Sequence, residues 1–80
     1  MIRYHKQPEK YILSQDRITA ERLLRAIGKL PSGDTKPLSG SNNPKLYRLR
    51  VGDYRVVFYH SESDTIITRI DTRGDVYKDN

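Results

Sequence analysis

The sequence of 80 residues contains no cysteine and only two histidines. Without cysteine the chain has no disulfide bonds and no thiolate metal sites. Two histidines far apart in the sequence offer little to a metal centre, and we expect no cofactor. No apolar run approaches the ~18 residues of a membrane-spanning helix, and the N-terminus lacks a signal-peptide pattern. We therefore expect a cytoplasmic protein that makes no membrane contact.

Apolar residues are also scarce, since hydrophobic side chains make up 35% of the chain and the mean hydropathy is −0.80. A chain of this length forms one small domain with a modest core, and we expect residues 1–80 to be a single domain. The core must therefore come from amphipathic elements. Positive charge is in excess, with a formal net charge of +5 and a pI near 9.7. This balance favours nucleic acid or an acidic protein as the partner.

The stretch from Leu46 to Tyr59 is the most informative part of the chain. It predicts two strands joined at Gly52-Asp53, a pair suited to a two-residue hairpin turn with positive φ at the glycine. Because strand side chains alternate between the two faces of a sheet, the apolar residues fall on one face and the arginines on the other. The cross-strand pairs that this turn predicts are Val51 with Tyr54, Arg50 with Arg55, Leu49 with Val56 and Tyr47 with Phe58.

We call the second surface the arginine face and define it by Arg48, Arg50 and Arg55. Like charges directly opposite each other destabilise a strand pair, and this face has no acidic residue within the hairpin. Arginine binds phosphate through paired, directional hydrogen bonds. The arginine face therefore predicts a site for an anionic ligand, with phosphate as the expected class. The alternatives are a solvated polar surface or one covered by an acidic segment of a partner protein.

The residues before the hairpin predict a strand and two helices. Ile2–Lys6 is the candidate strand, and a brief helix is expected from Glu9 to Leu13, with Pro8 in its first turn. Asp16 is the expected N-cap of a second helix that ends at Leu30-Pro31. Residues 31–45 are rich in proline, glycine and asparagine and predict a loop. The apolar residues at helical spacing in the second helix are Ala20, Leu23, Leu24, Ile27 and Leu30.

After a turn at residues 61–64, a last strand is expected from Thr65 to about Thr72. Its alternation places Ile66 and Ile70 on one face and Ile67 on the other. A register shift of one residue would bring Arg69, Asp71 and Arg73 onto the arginine face, where Asp71 would partly neutralise the cluster. The predicted class is α+β in the order β-α-α-β-β-β, with a helical hairpin on one face of a small, mainly antiparallel sheet.

A cluster of arginines with nearby tyrosines suits RNA, because guanidinium groups and aromatic rings both stack on unpaired bases. Tyr59 shares the arginine face by parity. A nuclease without a metal would use the RNA 2′-OH as the nucleophile, and the protein must then stabilise negative charge and manage two proton transfers. The arginines suit the first task. Tyr77 is the candidate for proton transfer, although a tyrosine pKa of about 10 is poorly matched to it.

Two other chemistries stay open from the residues alone. A two-histidine ribonuclease would use His5 and His60, although neither has a visible orienting partner. Asp71 and Asp75 would be the carboxylates of a metal pair, although solvated loop charges are the simpler interpretation. The chain has no glycine-rich phosphate-binding loop of the P-loop or dinucleotide type.

The segment from Gly33 to Tyr77 resembles the RelE/ParE superfamily of bacterial and archaeal toxins. The resemblance is carried by Gly33-Asp34, Lys36-Pro37-Leu38, Gly40, the block from Tyr47 to Val57, and Arg73 with Asp75-Val76-Tyr77. It implies the RelE-like fold and a toxin that is held inactive by a cognate antitoxin, in a complex expected to be a heterotetramer. The RelE branch cuts mRNA in the A site of the 30S ribosomal subunit by metal-independent 2′-OH attack, which blocks translation.

The resemblance also implies roles for individual residues. It assigns the catalytic roles to Arg48, Arg50, Arg55, Arg73 and Tyr77, and we expect RNA binding by Lys45, Tyr59 and Arg69. Two departures concern turnover, since RelE toxins carry lysines at the positions of Arg48 and Arg50, and many relatives carry Gly-His-Arg where this chain has Asp71-Thr72-Arg73. Two alternatives follow from the same resemblance: a ParE-like inhibitor of DNA gyrase, and a catalytically inactive homologue that binds the antitoxin.

Overall fold

A computed structural model describes residues 1–72 as two helices packed on one face of a five-stranded sheet. The strand order is β1-β5-β4-β3-β2, in which β1 runs parallel to β5 and every other pair is antiparallel. The predicted α+β architecture is confirmed. The elements are β1 (Ile2–Tyr4), α1 (Lys6–Leu13), α2 (Arg17–Gly28), β2 (Thr35–Pro37), β3 (Tyr47–Val51), β4 (Tyr54–Ser61) and β5 (Asp64–Thr72).

Both helices form where the sequence predicts helix. Helix α1 begins at Lys6, earlier than expected, and Pro8 is buried in its first turn. Helix α2 begins after Asp16, whose carboxylate accepts a hydrogen bond from the backbone N–H of Thr19 at 3.2 Å. This N-cap bond lowers the pKa of Asp16. Neither helix in the described part of the chain is long and apolar enough to cross a membrane.

The core lies between the helices and the sheet. Leu23 and Ile27 of α2 are fully buried, whereas Leu24 is 46% exposed although it belongs to the same set of apolar residues at helical spacing. Successive helical residues are rotated by about 100°, and the seam through Leu23 and Ile27 turns Leu24 away from the sheet. The core cluster consists of Ile12, Leu23, Ile27, Leu49, Val51, Val56, Phe58, Ile67 and Ile70.

Strand β2 lies within the segment that the sequence predicts as loop. It has three residues, which are too few for alternation to be recognised. Thr35, Lys36 and Pro37 pair with Leu49, Arg48 and Tyr47 of β3, so the strand depends on a neighbour that its own sequence does not reveal. Pro37 fits there because an edge strand tolerates a residue without a backbone donor.

The hairpin of β3 and β4 has the predicted register. Tyr47 faces Phe58, Leu49 faces Val56, Arg50 faces Arg55 and Val51 faces Tyr54. Gly52 has a φ of 59°, and Asp53 is not among the positive-φ residues, as expected of a type II′ turn with glycine first.

The expected register shift is also present, as a bulge in β5 at Thr68. Val57 pairs with Arg69 and Phe58 pairs with Ile67, so Thr68 is the extra residue. Its hydroxyl donates to the carbonyl of Val57 at 3.2 Å. The bulge puts Ile67 and Ile70 together in the core, which corrects the expectation that these two residues lie on opposite faces.

Candidate anion-binding site on the sheet

The arginine face is the side of the sheet that the helices leave uncovered, and its side chains form two rows across the strands. In the first row Lys36, Arg48, Val57 and Arg69 are consecutive partners on β2, β3, β4 and β5. In the second row Arg50 pairs with Arg55, and Arg55 pairs with Asp71. The two rows therefore contain five cations and one carboxylate.

The carboxylate of Asp71 joins two of these arginines. Its Oδ1 accepts from Arg55 Nε at 3.2 Å, and its Oδ2 accepts from Arg55 Nη2 at 3.1 Å. Arg69 Nε donates to the same Oδ2 at 3.0 Å. The bulge at Thr68 creates this arrangement, because it brings both Arg69 and Asp71 onto the arginine face. The expectation that Asp71 partly neutralises the cluster is met by two close ion pairs.

Arg48 lies in the middle of the first row and is mostly covered, with 17% of its side chain exposed. Its Nη1 is buried and has no hydrogen-bond partner among residues 1–72. Asp34 Oδ1 approaches to 3.9 Å, which is an ion pair but too long for a hydrogen bond. A buried polar group left without a partner costs about 1–3 kcal/mol. An anion that drew the guanidinium toward it would recover part of this cost.

The outer cations of the two rows are open to solvent. Lys36 and Arg50 are both exposed, and within residues 1–72 neither side chain makes a hydrogen bond or an ion pair. Arg50 is held by its backbone, whose N–H donates to the carbonyl of Asp34 at 3.0 Å. These two solvated cations lie next to Arg55, which Asp71 holds in place, and next to Arg48, which is mostly buried. Together the four side chains form a candidate site that attracts phosphate oxygens.

A third row of side chains lies nearer to β1, and its arginine is already held in an ion pair. Tyr59 faces Ile66, and Ile66 faces Arg3. Arg3 Nε donates to Asp64 Oδ2 at 3.0 Å, and the N-terminal amine lies 3.5 Å from Asp64 Oδ1. The hydrogen bond from Arg3, together with the positive charges of Arg3 and the N-terminus, lowers the pKa of Asp64. Tyr59 therefore lies next to the two cationic rows, on the face that the alternation of strand side chains predicts for it.

The remaining predicted residues have different positions. Lys45 is exposed in the loop before β3, outside the two rows. His60 contacts the rings of Tyr47 and Phe58, with centroid distances of 5.7 and 5.5 Å, and so lies on the helix-bearing side of the sheet. This position separates His60 from the arginines of the two rows, and the two-histidine site stays an alternative. Three of the predicted residues, Arg73, Asp75 and Tyr77, lie outside the described residues.

Lys36 is the site residue that sequence reasoning missed. It lies directly across from Arg48, but the segment around it reads as a loop because of its prolines and glycines. A Thr-Lys-Pro tripeptide carries no strand signal of its own. Among residues 1–72 no group of three histidine, aspartate or glutamate side chains is arranged to hold a metal ion.

The comparisons with known proteins agree with this architecture. A family model described as the ParE toxin of the type II toxin-antitoxin system, parDE, matches residues 2–77. A chain in the archaeal RelE-RelB complex from Pyrococcus horikoshii OT3 is 27% identical, with a TM-score of 0.73 over 91% of this chain and 93% of that one. The RelB-RelE antitoxin-toxin complex from Methanococcus jannaschii gives a TM-score of 0.73 at 21% identity over 95% of each chain, a likeness of fold. A search of curated proteins gave no match.

Proposed function

The chain belongs to the ParE toxin family of type II toxin-antitoxin systems, and we propose that it is a toxin that cleaves mRNA on the ribosome. The proposed reaction is metal-independent attack of an RNA 2′-OH on the adjacent phosphate in the A site of the 30S subunit. Its consequence is arrest of translation. The proposed partner is a cognate antitoxin, as in the two RelE–RelB complexes of the same fold, with a heterotetramer as the expected assembly.

The observation that carries the proposal is the pair of cationic rows on the uncovered face of the sheet. Arg50 faces Arg55 directly, an arrangement that opposes pairing of the two strands. Asp71 pairs with Arg55 and Arg69, but no acid within residues 1–72 pairs with Arg50 or Lys36. A polyanion relieves the repulsion, and RNA also offers unpaired bases to Tyr59 and to the guanidinium planes.

Within this proposal the described residues bind the substrate and stabilise charge. Arg50 and Lys36 are the exposed cations that first meet the RNA backbone. Arg55, fixed by Asp71, presents its remaining N–H groups to the oxyanion that develops on phosphorus. Arg48, which is mostly buried, supplies a further positive charge below the exposed cations. Arginine remains protonated, so none of the three arginines is a suitable general acid or base near neutral pH.

Proton transfer is assigned to residues outside the described part of the chain. We propose that Tyr77 exchanges the proton and that Arg73 adds positive charge at the phosphate, as the family motif implies. Lys45 and Arg69 are proposed to hold the RNA backbone on either side of the cut.

The competing function is inhibition of DNA gyrase by protein binding. The matched family model favours it, because that model is the ParE one. In this case the arginine face would contact an acidic surface of gyrase or the antitoxin, and no RNA would be cut. The two functions differ in which process fails first in the cell: protein synthesis or DNA supercoiling.

The test is induction of the protein in a bacterial host without antitoxin, followed by mapping of new mRNA 5′ ends. Arg50→Ala removes an exposed cation without a partner in the described chain, and we expect cleavage to fall about 10-fold to 100-fold. Arg17→Ala is the matched control, because Arg17 is 90% exposed on α2, on the opposite face of the sheet, where it pairs with Glu21. The control removes the same charge and should leave cleavage unchanged.

A second variant, Arg73→Ala with Tyr77→Phe, tests the residues proposed for proton transfer. New ends within translated reading frames that disappear in this variant would support the ribonuclease. Growth arrest with altered plasmid supercoiling and without new ends would support gyrase inhibition. Normal growth of cells that contain folded toxin would favour the inactive, antitoxin-binding homologue.

A further inference from the structure

Asp71 is the one buried charged residue in the described part of the chain, with 7% of the residue exposed. It lies on the arginine face, directly opposite Arg55. Burying a carboxylate is costly unless it is paired and hydrogen-bonded. The two arginines that contact it satisfy this requirement through three hydrogen bonds of 3.0–3.2 Å. The carboxylate therefore neutralises part of the positive charge of Arg55 and Arg69, and it also contacts both guanidinium groups directly.

We propose that Asp71 is a positioning residue that holds the Arg55 and Arg69 guanidinium groups for phosphate, at the expense of affinity for RNA. This inference rests on the proposed ribonuclease function and adds a role for a residue that does not touch the substrate. Removing the carboxylate should make RNA binding tighter and turnover slower. Opposite changes in RNA affinity and in turnover distinguish a positioning role from a merely structural contribution.

The geometry leaves donors of both arginines available. Arg55 uses Nε and Nη2 for Asp71, so both hydrogens of Nη1 and the second hydrogen of Nη2 remain. Arg69 uses Nε, and its two terminal nitrogens remain. The side chains are 28% and 65% exposed, so part of each is open to an approaching ligand. A bidentate contact also fixes the plane of the Arg55 guanidinium.

Pre-organisation of this kind raises the rate, because the donors do not have to reorganise as charge develops at the phosphate. The same carboxylate repels the approaching phosphate and lowers the local positive charge. Its effect on binding therefore opposes its effect on catalysis. Asn at this position retains the size and one oxygen acceptor but loses the charge and the strength of both ion pairs.

The test compares the wild type with Asp71→Asn in two assays. Cleavage of mRNA on programmed ribosomes gives kcat and KM, and fluorescence anisotropy with a short single-stranded RNA gives Kd. For Asp71→Asn we expect kcat to fall at least about 10-fold and Kd to fall about twofold to fivefold. Asp64→Asn is the matched control, because Asp64 also pairs with an arginine but at the edge of the sheet. The control should change neither kcat nor Kd.

Asp71→Glu separates charge from geometry, because it retains the charge and moves the carboxylate by one methylene. We expect a severalfold loss of kcat with Kd unchanged. A variant that melts without a cooperative transition is set aside, and the comparison then rests on Asp71→Glu. Wild-type kcat in either folded variant, or weaker RNA binding by Asp71→Asn, would overturn the inference while the proposed function stands. A wild type that cuts no RNA would overturn both.

Discussion

The turn at Gly52 fixes the register of the hairpin that carries Arg50 and Arg55, and its replacement by alanine is the most direct test of this link. Gly52 has a φ of 59°, in the left-handed region that residues with a Cβ avoid. An ideal Cβ there would also lie 2.9 Å from Cζ and 3.0 Å from Nη1 of Arg22. Gly52→Ala therefore introduces backbone strain and a steric contact at the same position.

The two effects differ in size. An alanine in the left-handed region costs about 1–2 kcal/mol. Arg22 is exposed, so its guanidinium can move to another rotamer, and such surface adjustments are worth about 0.5 kcal/mol or less. Strain should therefore dominate, and we expect Gly52→Ala to lower the free energy of unfolding by about 1–2.5 kcal/mol.

Urea denaturation of five variants measures these contributions separately. Gly40→Ala introduces strain alone, because Gly40 has a φ of 81° and no atom lies within 4 Å of an added Cβ. Gly28→Ala introduces neither effect and should be neutral or stabilising. Gly52→Asn should cost less than Gly52→Ala, since asparagine tolerates the left-handed region. The reasoning is refuted if Gly52→Asn is as unstable as Gly52→Ala, or if adding Arg22→Ala restores most of the lost stability.

Three further predictions concern stability. Glu62 has a φ of 56° in the β4–β5 turn, so Glu62→Gly should raise the free energy of unfolding by up to about 1 kcal/mol in urea denaturation. Leu23→Ala should cost about 2–5 kcal/mol, but Leu24→Ala about 0.5 kcal/mol or less. The folded-state pKa values of Asp16 and Asp64 lie below the ordinary value of 3.8. The stability that these two carboxylates contribute to the fold is therefore present above pH 3.8 and is lost as the pH falls through the lowered pKa values. The double variant Asp16→Asn/Asp64→Asn should therefore show a smaller decrease in Tm below about pH 4 than the wild type.

The sequence predicts local elements well where the signal is local. The hairpin register follows from a two-residue turn and alternation, and the N-cap at Asp16 follows from a single side chain next to the apolar periodicity of α2. Strand β2 and the exposed position of Leu24 depend instead on tertiary neighbours. Thr35–Pro37 becomes a strand because β3 offers its edge, and a helical pattern alone does not show which of two adjacent leucines faces the sheet.

The candidate site shows the same division. Arg48, Arg50 and Arg55 could be identified because their positions depend on one hairpin, and Lys36 could not because its position depends on β2. Matching polar residues across the strands predicts that Arg69 and Asp71 lie on the arginine face. The match requires a register shift, but it does not show where in the strand the shift occurs. That shift is the bulge at Thr68, and no glycine in the neighbouring sequence indicates its position.

The bulge also links the core to the arginine face. A regular β5 would place Ile67 and Ile70 on opposite faces, so one of the two would lie outside the core that both now fill. The extra residue lets both isoleucines pack under the helices and at the same time carries Asp71 to the side of Arg55. Hydrophobic burial, worth roughly 1.5–3 kcal/mol for each such side chain, therefore acts together with the two ion pairs of Asp71 to hold its carboxylate in the cationic cluster. The geometry of the candidate site thus depends in part on the packing on the other face of the sheet.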